Sequence, residues 1–328
     1  MALAGRMIRW LAAPVAAATV MGAAMAQPPS TVKPITIMVG FAPGAGTDML
    51  ARAIAEQLGS RLKQAVIVDN RPGAGGALAV SLVAKAPADG ATLLFAPNTL
   101  VIAPHVQPAS AAAQVNVLTD LTPIVQVTRS TLLVVANAAQ NVKDAKALTE
   151  LGRSKSGLAY GTAGNGTPQH IAGVLYGRSV AMDFTHVPYR GTGPALVDLM
   201  GGQLGFAISS LGAAMPYLQS GKLVAVAVPE KTRTPLLPDV PTMTEQGIRG
   251  VELSGWFGLL GPRGMPAAQV ERLNREINEI LKSPEIQQKF KAQGEVPVGG
   301  KAQDFAQLLK DEYALYGTVV KESGIKSE

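Results

Sequence analysis

Short apolar runs alternate with glycine-bounded amphipathic segments along most of this chain, and that alternation restricts the fold more than any other feature. ITIMVGF (35–41) is a continuous apolar run. The loop GFAPGAGTD (40–48) follows, and then a helical pattern over 48–58 with Leu50, Ile54 and Leu58 on one face. AVIVDN (65–70), the loop RPGAGG, a helix over 77–86 and ATLLFA (91–96) complete a β-α-β-α-β series. Strands that are apolar throughout are covered on both faces, and strands joined through helices run parallel with right-handed crossovers. A second series begins after VQVTRSTLLVVAN (125–137). It contains a helix over 144–153, GLAYGTA (157–163), the turn GNGTP, a helix over 168–178, FTHVPY (184–189), the turn RGTGP, the helix ALVDLMGG, and the strands GFAISS and LVAVAV. ELSGWFGLLGP (252–262) reads as a strand re-entering the first series, and two amphipathic helices over 266–283 and 301–320 close the chain. The order predicts two α/β lobes, residues 27–127 with 256–328 in one and 128–255 in the other. Two crossovers beside a cleft make a hinge.

The first 26 residues stand apart. Arg6 and Arg9 precede a short apolar stretch, and Ala24-Met25-Ala26 forms an A-x-A cleavage site before Gln27. This predicts a cleavable secretory signal peptide over 1–26 and a periplasmic mature protein. Net charge is +6, or +4 once Arg6 and Arg9 are set aside (27 basic against 23 acidic residues). The basic residues are scattered and aromatics make up 5%, so nothing resembles a nucleic-acid footprint. There is no cysteine, hence no disulfide and no lipid-anchoring thiol.

The loops carry the chemistry. In residues 40–48, Pro43, Gly44 and Gly46 lie between a strand and a helix. Such a turn presents main-chain N–H groups at a helix N-terminus, where anions bind. It lacks the lysine of a Walker A loop and the third glycine of a dinucleotide fingerprint. A neutral set of donors with the Thr47 hydroxyl suits a carboxylate. Asp48 caps its own helix or braces the loop. A plain structural turn is the alternative for this loop taken alone. The pattern recurs at 161–168, where Thr167 is a natural N-cap and Pro168 a natural first helical residue, and again at 190–194. Pro97-Asn98-Thr99 ends another strand, and ligands of open α/β sheets bind beyond the carboxyl ends of strands.

Other chemistries find less support. His105, His170 and His186 are far apart in sequence, so no metal site is expected. His170 either reaches the cleft or is a partly buried, satisfied residue. Ser209 and Ser210 offer hydroxyls at a strand end, and Arg190 either neutralises a carboxylate or is solvated. Trp256 lines the cleft or packs the hinge, with packing favoured. There is no G-x-S-x-G elbow and no nucleophile–base pair, so an enzyme is not expected.

FAPGAGTD, NRPGAGG, YGTAGNGTPQHIAG, HVPYRGTGPALVDLMGGQ, LPDVPTMTEQG and WFGLLGP occur in that order over nearly the whole mature chain. In this set the chain resembles Bug-type proteins, the extracytoplasmic solute-binding components of tripartite tricarboxylate transporters. The resemblance implies a two-lobed type II periplasmic-binding-protein (Venus flytrap) fold, each lobe a mainly parallel sheet flanked by helices. It implies a small carboxylate ligand (a di- or tricarboxylate or an aromatic acid), no cofactor, a monomer, and delivery to transporter membrane subunits. The alternative is presentation of the ligand-bound form to a signalling receptor. Carried over by position, the implied contacts are Phe41, Ala42, Gly44, Gly46, Thr47 and Asp48 from the first loop. Thr162, Ala163, Asn165, Gly166, Thr167 and His170 follow from the second, then Tyr189 and Gly191. Asn98 and Ser209 join the expected contacts from their strand-end positions alone, not from the resemblance. Gly205 and Ser209 stand where such proteins often carry acids, which argues for an organic acid over an amino acid.

Overall fold

The computed structural model describes residues 33–106, 114–154 and 157–325, so the expected signal peptide lies outside the described residues. Among them the chain runs β1 (Ile35–Val39), α1 (Gly46–Leu62), β2 (Val66–Asn70), α2 (Ala77–Ala84), β3 (Thr92–Pro97), α3 (Thr99–Val106) and β4 (Leu121–Ser130). It continues with β5 (Leu132–Asn137), α4 (Ala145–Ser154), β6 (Ala159–Thr162), α5 (Pro168–Ser179), β7 (Thr185–Pro188), α6 (Thr192–Met200), β8 (Phe206–Ser210), α7 (Leu211–Gln219) and β9 (Leu223–Ala227). Last come β10 (Gly255–Pro262), α8 (Ala267–Leu281), α9 (Pro284–Ala292), β11 (Glu295–Pro297) and α10 (Ala302–Ser323). Two sheets result, in strand orders β11-β4-β10-β3-β1-β2 and β7-β6-β8-β5-β9.

The apolar runs behave as expected of doubly covered strands. Ile37, Val39, Leu93 and Phe95 are fully buried. They meet Leu50, Ile54 and Leu58 of α1 and Leu273 and Ile277 of α8 in one cluster. Each such side chain contributes about 1.5–3 kcal/mol of transfer free energy. A second cluster runs from Val101 of α3 and Phe305, Leu309 and Tyr316 of α10 on the first sheet to Tyr160, Tyr176 and Phe206 on the second. Helix α10 therefore belongs to the cores of both sheets. Arg178 of α5 adds a polar tie, donating to Glu322 and Ser323 at 2.7 Å each.

Each sheet is mixed. The β2-β1-β3 and β7-β6-β8 sets are parallel, while β10, β4 and β11 in the first sheet, and β5 and β9 in the second, pair antiparallel. The antiparallel members include the strands through which the chain passes between sheets. Thr131 alone separates β4 from β5, and its Oγ1 donates to Thr234 Oγ1 at 2.9 Å. The return passage over 228–254 is tied to the first by an Arg129–Glu230 ion pair at 3.2 Å.

Helices α3, α7 and α9 and strand β11 escape the sequence reading. TLVIAPHV has no polar face, α3 and α7 each contain an internal proline, and β11 is three residues long. Yet β11 matters, because its entry packs backbone to backbone on α7. A Cβ on Gly294 would overlap the Gly212 amide, and one on Gly212 would overlap the Gln293 carbonyl; Gly294 also holds φ +75°. Gly294→Ala is expected to cost about 1–3 kcal/mol, read as a lowered melting temperature. An unchanged melting temperature contradicts this tight approach.

Candidate ligand-binding cleft

A cavity of about 500 Å³ opens between the two sheets, lined from both of them. Its first wall is the turn after β1. Gly44 takes φ +81°, the left-handed region that suits glycine. Asp48, almost fully buried, accepts from the Gly44 amide at 2.8 Å, from Arg52 Nε at 3.0 Å and from Asn70 Nδ2 at 2.9 Å. Asn70 Nδ2 also donates to the Phe41 carbonyl at 3.1 Å, and Arg52 donates to Asn70 Oδ1 at 2.9 Å. Burial works to raise the Asp48 pKa, but the bonds from Arg52, Gly44 and Asn70 hold it below the ordinary carboxylate value. Asp48 is thus committed to the loop. The preceding Ala45 gives α1 no side-chain cap, so the first-turn amides at Gly46 and Thr47 keep no capping oxygen.

The opposing wall includes the start of α5. Thr167 Oγ1 caps that helix, accepting from the His170 amide at 3.3 Å, and donates to the Gly164 carbonyl at 2.7 Å. Pro168 follows at the first helical position, and Gln169 lies in the cavity lining. Four helix N-termini border the same space, those of α1 and α3 from the first sheet and those of α5 and α7 from the second, and their partial positive charge suits an anion. Among the described lining residues there is no lysine, arginine or histidine, and Glu295 is the one ionisable group.

Of the residues expected from sequence, Phe41, Gly46, Thr47, Asn98 and Thr167 line this cavity. Ala42 and Gly44 are exposed on the loop rim. Thr162 is buried behind the second loop, 2.7 Å from His186 Nε2, and Gly166 packs closely on Val106. Ala163 and Asn165 are half-buried in that loop, outside the cavity lining. Tyr189 donates to Asp198 at 2.6 Å, and Gly191 stands at the start of α6 with φ +103°; neither reaches the cavity. Ser209 is fully buried, donating to the Ser210 carbonyl at 2.9 Å, and strand alternation gives its neighbour Ser210 the cavity position. Arg190 is exposed. Gly205 faces Leu158, where a Cβ would overlap, so neither Gly205 nor Ser209 reports on the cleft.

His170 lies outside the cleft lining and borders a separate cavity of about 460 Å³. Its ring stacks on His186 with centroids 3.7 Å apart, and its Nδ1 accepts from the Gly166 amide at 3.2 Å. These histidines, distant in sequence, back the second loop together. Among the described residues no group of three metal-ligating side chains occurs. Burial pushes His170 down to about 4 and His186 down to about 3, repulsion from His170 adding to the second.

Trp256 is weighed from sequence, whereas Ser130 and Glu295 escape it. Trp256 fills both roles weighed for it. Its Nε1 donates to buried Glu312 at 2.7 Å, its ring meets Phe305 edge-on at 5.2 Å, and it still borders the cavity. Ser130 and Glu295 meet across the β4–β11 pair. Glu295 accepts from Thr128 Oγ1 and Ser130 Oγ at 2.7 Å each. Burial raises its pKa against the lowering effect of those hydroxyls. The pairing of Thr128 and Ser130 with a strand 165 residues away leaves no local signal.

The family model for the tripartite tricarboxylate transporter family receptor matches residues 50–325. Protein BugT of Bordetella pertussis is 34% identical over 295 residues, spanning 90% of each chain. Among solved structures, R. palustris Rpa4515 with adipate superposes with TM-score 0.77 at 32% identity, covering 91% of this chain and 100% of that one. MatC from Rhodopseudomonas palustris with bound malate superposes with TM-score 0.70 at 31% identity, covering 88% and 99%. The fold is the two-lobed periplasmic-binding-protein architecture of these relatives.

The stacked histidines give a pH prediction. Their folded pKa values lie below the free imidazole value of about 6.5, so the stability of the neutral pair is complete above that pH. It is lost as pH falls toward 4, because the unfolded chain takes up protons first. His186→Phe should flatten this acid-side loss in melting temperatures between pH 7 and 4. A slope equal to that of the unsubstituted protein contradicts the assignment.

Proposed function

We propose that this chain, which belongs to the family of tripartite tricarboxylate transporter receptors, captures a small carboxylate in the interlobe cleft and delivers it to the membrane subunits of such a transporter. The ligand class is a di- or tricarboxylate or an aromatic acid. The observation that carries this reading is the convergence of four helix N-termini, those of α1, α3, α5 and α7, on one cavity whose described lining has no cationic side chain. A carboxylate held there is neutralised by main-chain dipoles, the Thr47 hydroxyl and bridging water. Adipate and malate in the relatives' structures support the class. The protein works outside the cytoplasm after loss of residues 1–26, as a binding protein and not as an enzyme. Among the described residues no helix is long and apolar enough to cross a membrane.

Sheet membership supports lobes that divide at Thr131 and within 228–254, a few residues beyond the division expected at 127/128. A ligand touching both lobes favours closure by its differential affinity for the closed state. Titration calorimetry against a panel of acids tests the reading. At least one acid should bind, and Thr47→Val should weaken it by about 1.5–3 kcal/mol, the value of a hydrogen bond to a charged group. Asp48→Ala should weaken the same acid by releasing the loop, with the larger loss in binding entropy. Wild-type affinity in both variants would remove the first loop from the site.

A further inference from the structure

The end of the cleft beside β11 combines hydrogen-bond donors with an acid. Ser210, Gly212 and Ala213 at the start of α7 line the same cavity as Thr47, and so do Gln293 and Glu295. Ser210 gives α7 no side-chain cap, and the first-turn amides of a helix have no intrahelical acceptor. The Leu211 amide donates to the Thr131 carbonyl at 2.9 Å. Gly212 and Ala213 follow it in the cavity lining, so this end holds a carboxylate as the α1 end does. An acid with two carboxyl groups presents one to each.

Glu295 stands beside that second position. It is 7% exposed, and Thr128 and Ser130 donate to it, with Ser130 Oγ 2.7 Å from each carboxyl oxygen. These hydroxyls bring no positive charge. The charged groups on the surrounding elements are engaged elsewhere or exposed. On β4, Arg129 pairs with Glu230 at 3.2 Å. Burial raises Glu230 to about 7 against the pull of Arg129, and repulsion from Glu295 adds to the rise. On α9, Lys289 pairs with Glu285 and Glu56, and Lys291 is exposed. Strand β10 and helix α7 carry no charged side chain. Burial already raises the Glu295 pKa. A ligand carboxylate at the start of α7 adds a like charge in the same partly dehydrated space. One helix end offers only about half a positive charge, so two adjacent acids there keep a proton.

We propose that the ligand carries at least two carboxyl groups, and that Glu295 and the ligand carboxyl group at the start of α7 hold one proton between them, taken from solution on binding. The inference rests on the carboxylate reading of the cleft and narrows its ligand class. Uptake is largest above the pKa of Glu295 in the free protein and vanishes below it. Affinity therefore rises as pH falls between the free and bound values, by up to about tenfold per pH unit.

The test is calorimetry between about pH 7 and 8.5 in phosphate and in Tris, whose different ionisation enthalpies count the protons exchanged. The probes are unbranched dicarboxylates of four, six and eight carbons and the monocarboxylates of the same lengths. The best-bound dicarboxylate should take up close to one proton at the upper end of this range, and a monocarboxylate should take up none. Glu295→Gln keeps the shape and cannot ionise, so it should bring the uptake close to zero and flatten the pH dependence of affinity. Should that variant bind nothing, the contrast between the two kinds of acid in the unsubstituted protein decides alone. Dicarboxylate binding without uptake, uptake equal for both kinds of acid, uptake unmoved by Glu295→Gln, or binding of monocarboxylates only overturns the proposal while leaving the carboxylate reading intact. No binding of any acid overturns both.

Discussion

A single buried carboxylate organises the first binding loop. Asp48 collects the Gly44 amide, Arg52 and Asn70, and Asn70 in turn holds the Phe41 carbonyl. These bonds fix a turn whose residues would otherwise be free to rotate at Gly44 and Gly46. Without them the first-turn amides of α1 would have no preset direction, and ordering them would be charged against ligand binding. The negative charge is spent inside the protein, so the face toward the cleft stays neutral. That division makes a loop containing an aspartate compatible with the anionic ligand proposed for the cleft.

The same economy governs the rest of the molecule. The two sheets share a core through α10, and the chain crosses between them at Thr131 and across 228–254. The glycine contact at 212 and 294 and the Arg129–Glu230 pair sit at these crossings. The pole of the cleft nearest the crossings is thus the most constrained, and the β1–α1 and β6–α5 loops form the opposite pole.

Much of this was legible in the sequence. Continuous apolar runs with period-matched helices specified the α/β series, and the returning strand at 252–262 is β10 of the first sheet. Phe41, Gly46, Thr47 and Thr167 were readable as cavity lining because a glycine-rich turn between a strand and a helix has a definite mechanical outcome, and Asn98 because it ends a strand of the parallel set. The rest was hidden for physical reasons. Strand alternation separates Ser209 from Ser210, and no local pattern tells which side faces the cleft. His170 and His186 stack only because β7 pairs with β6. Glu295 enters through a three-residue strand whose partner lies 165 positions away. Long-range pairing of short elements is the information that periodicity does not carry.

A crystal structure of the protein with a bound acid from the calorimetric panel tests the central claim most directly. The account predicts carboxylate oxygens about 2.7–3.2 Å from the main-chain N–H groups at Gly46 or Thr47, with the start of α5 closing from the other lobe. A carboxylate held instead by lysine or arginine side chains, or seated outside the interlobe cavity, would contradict it.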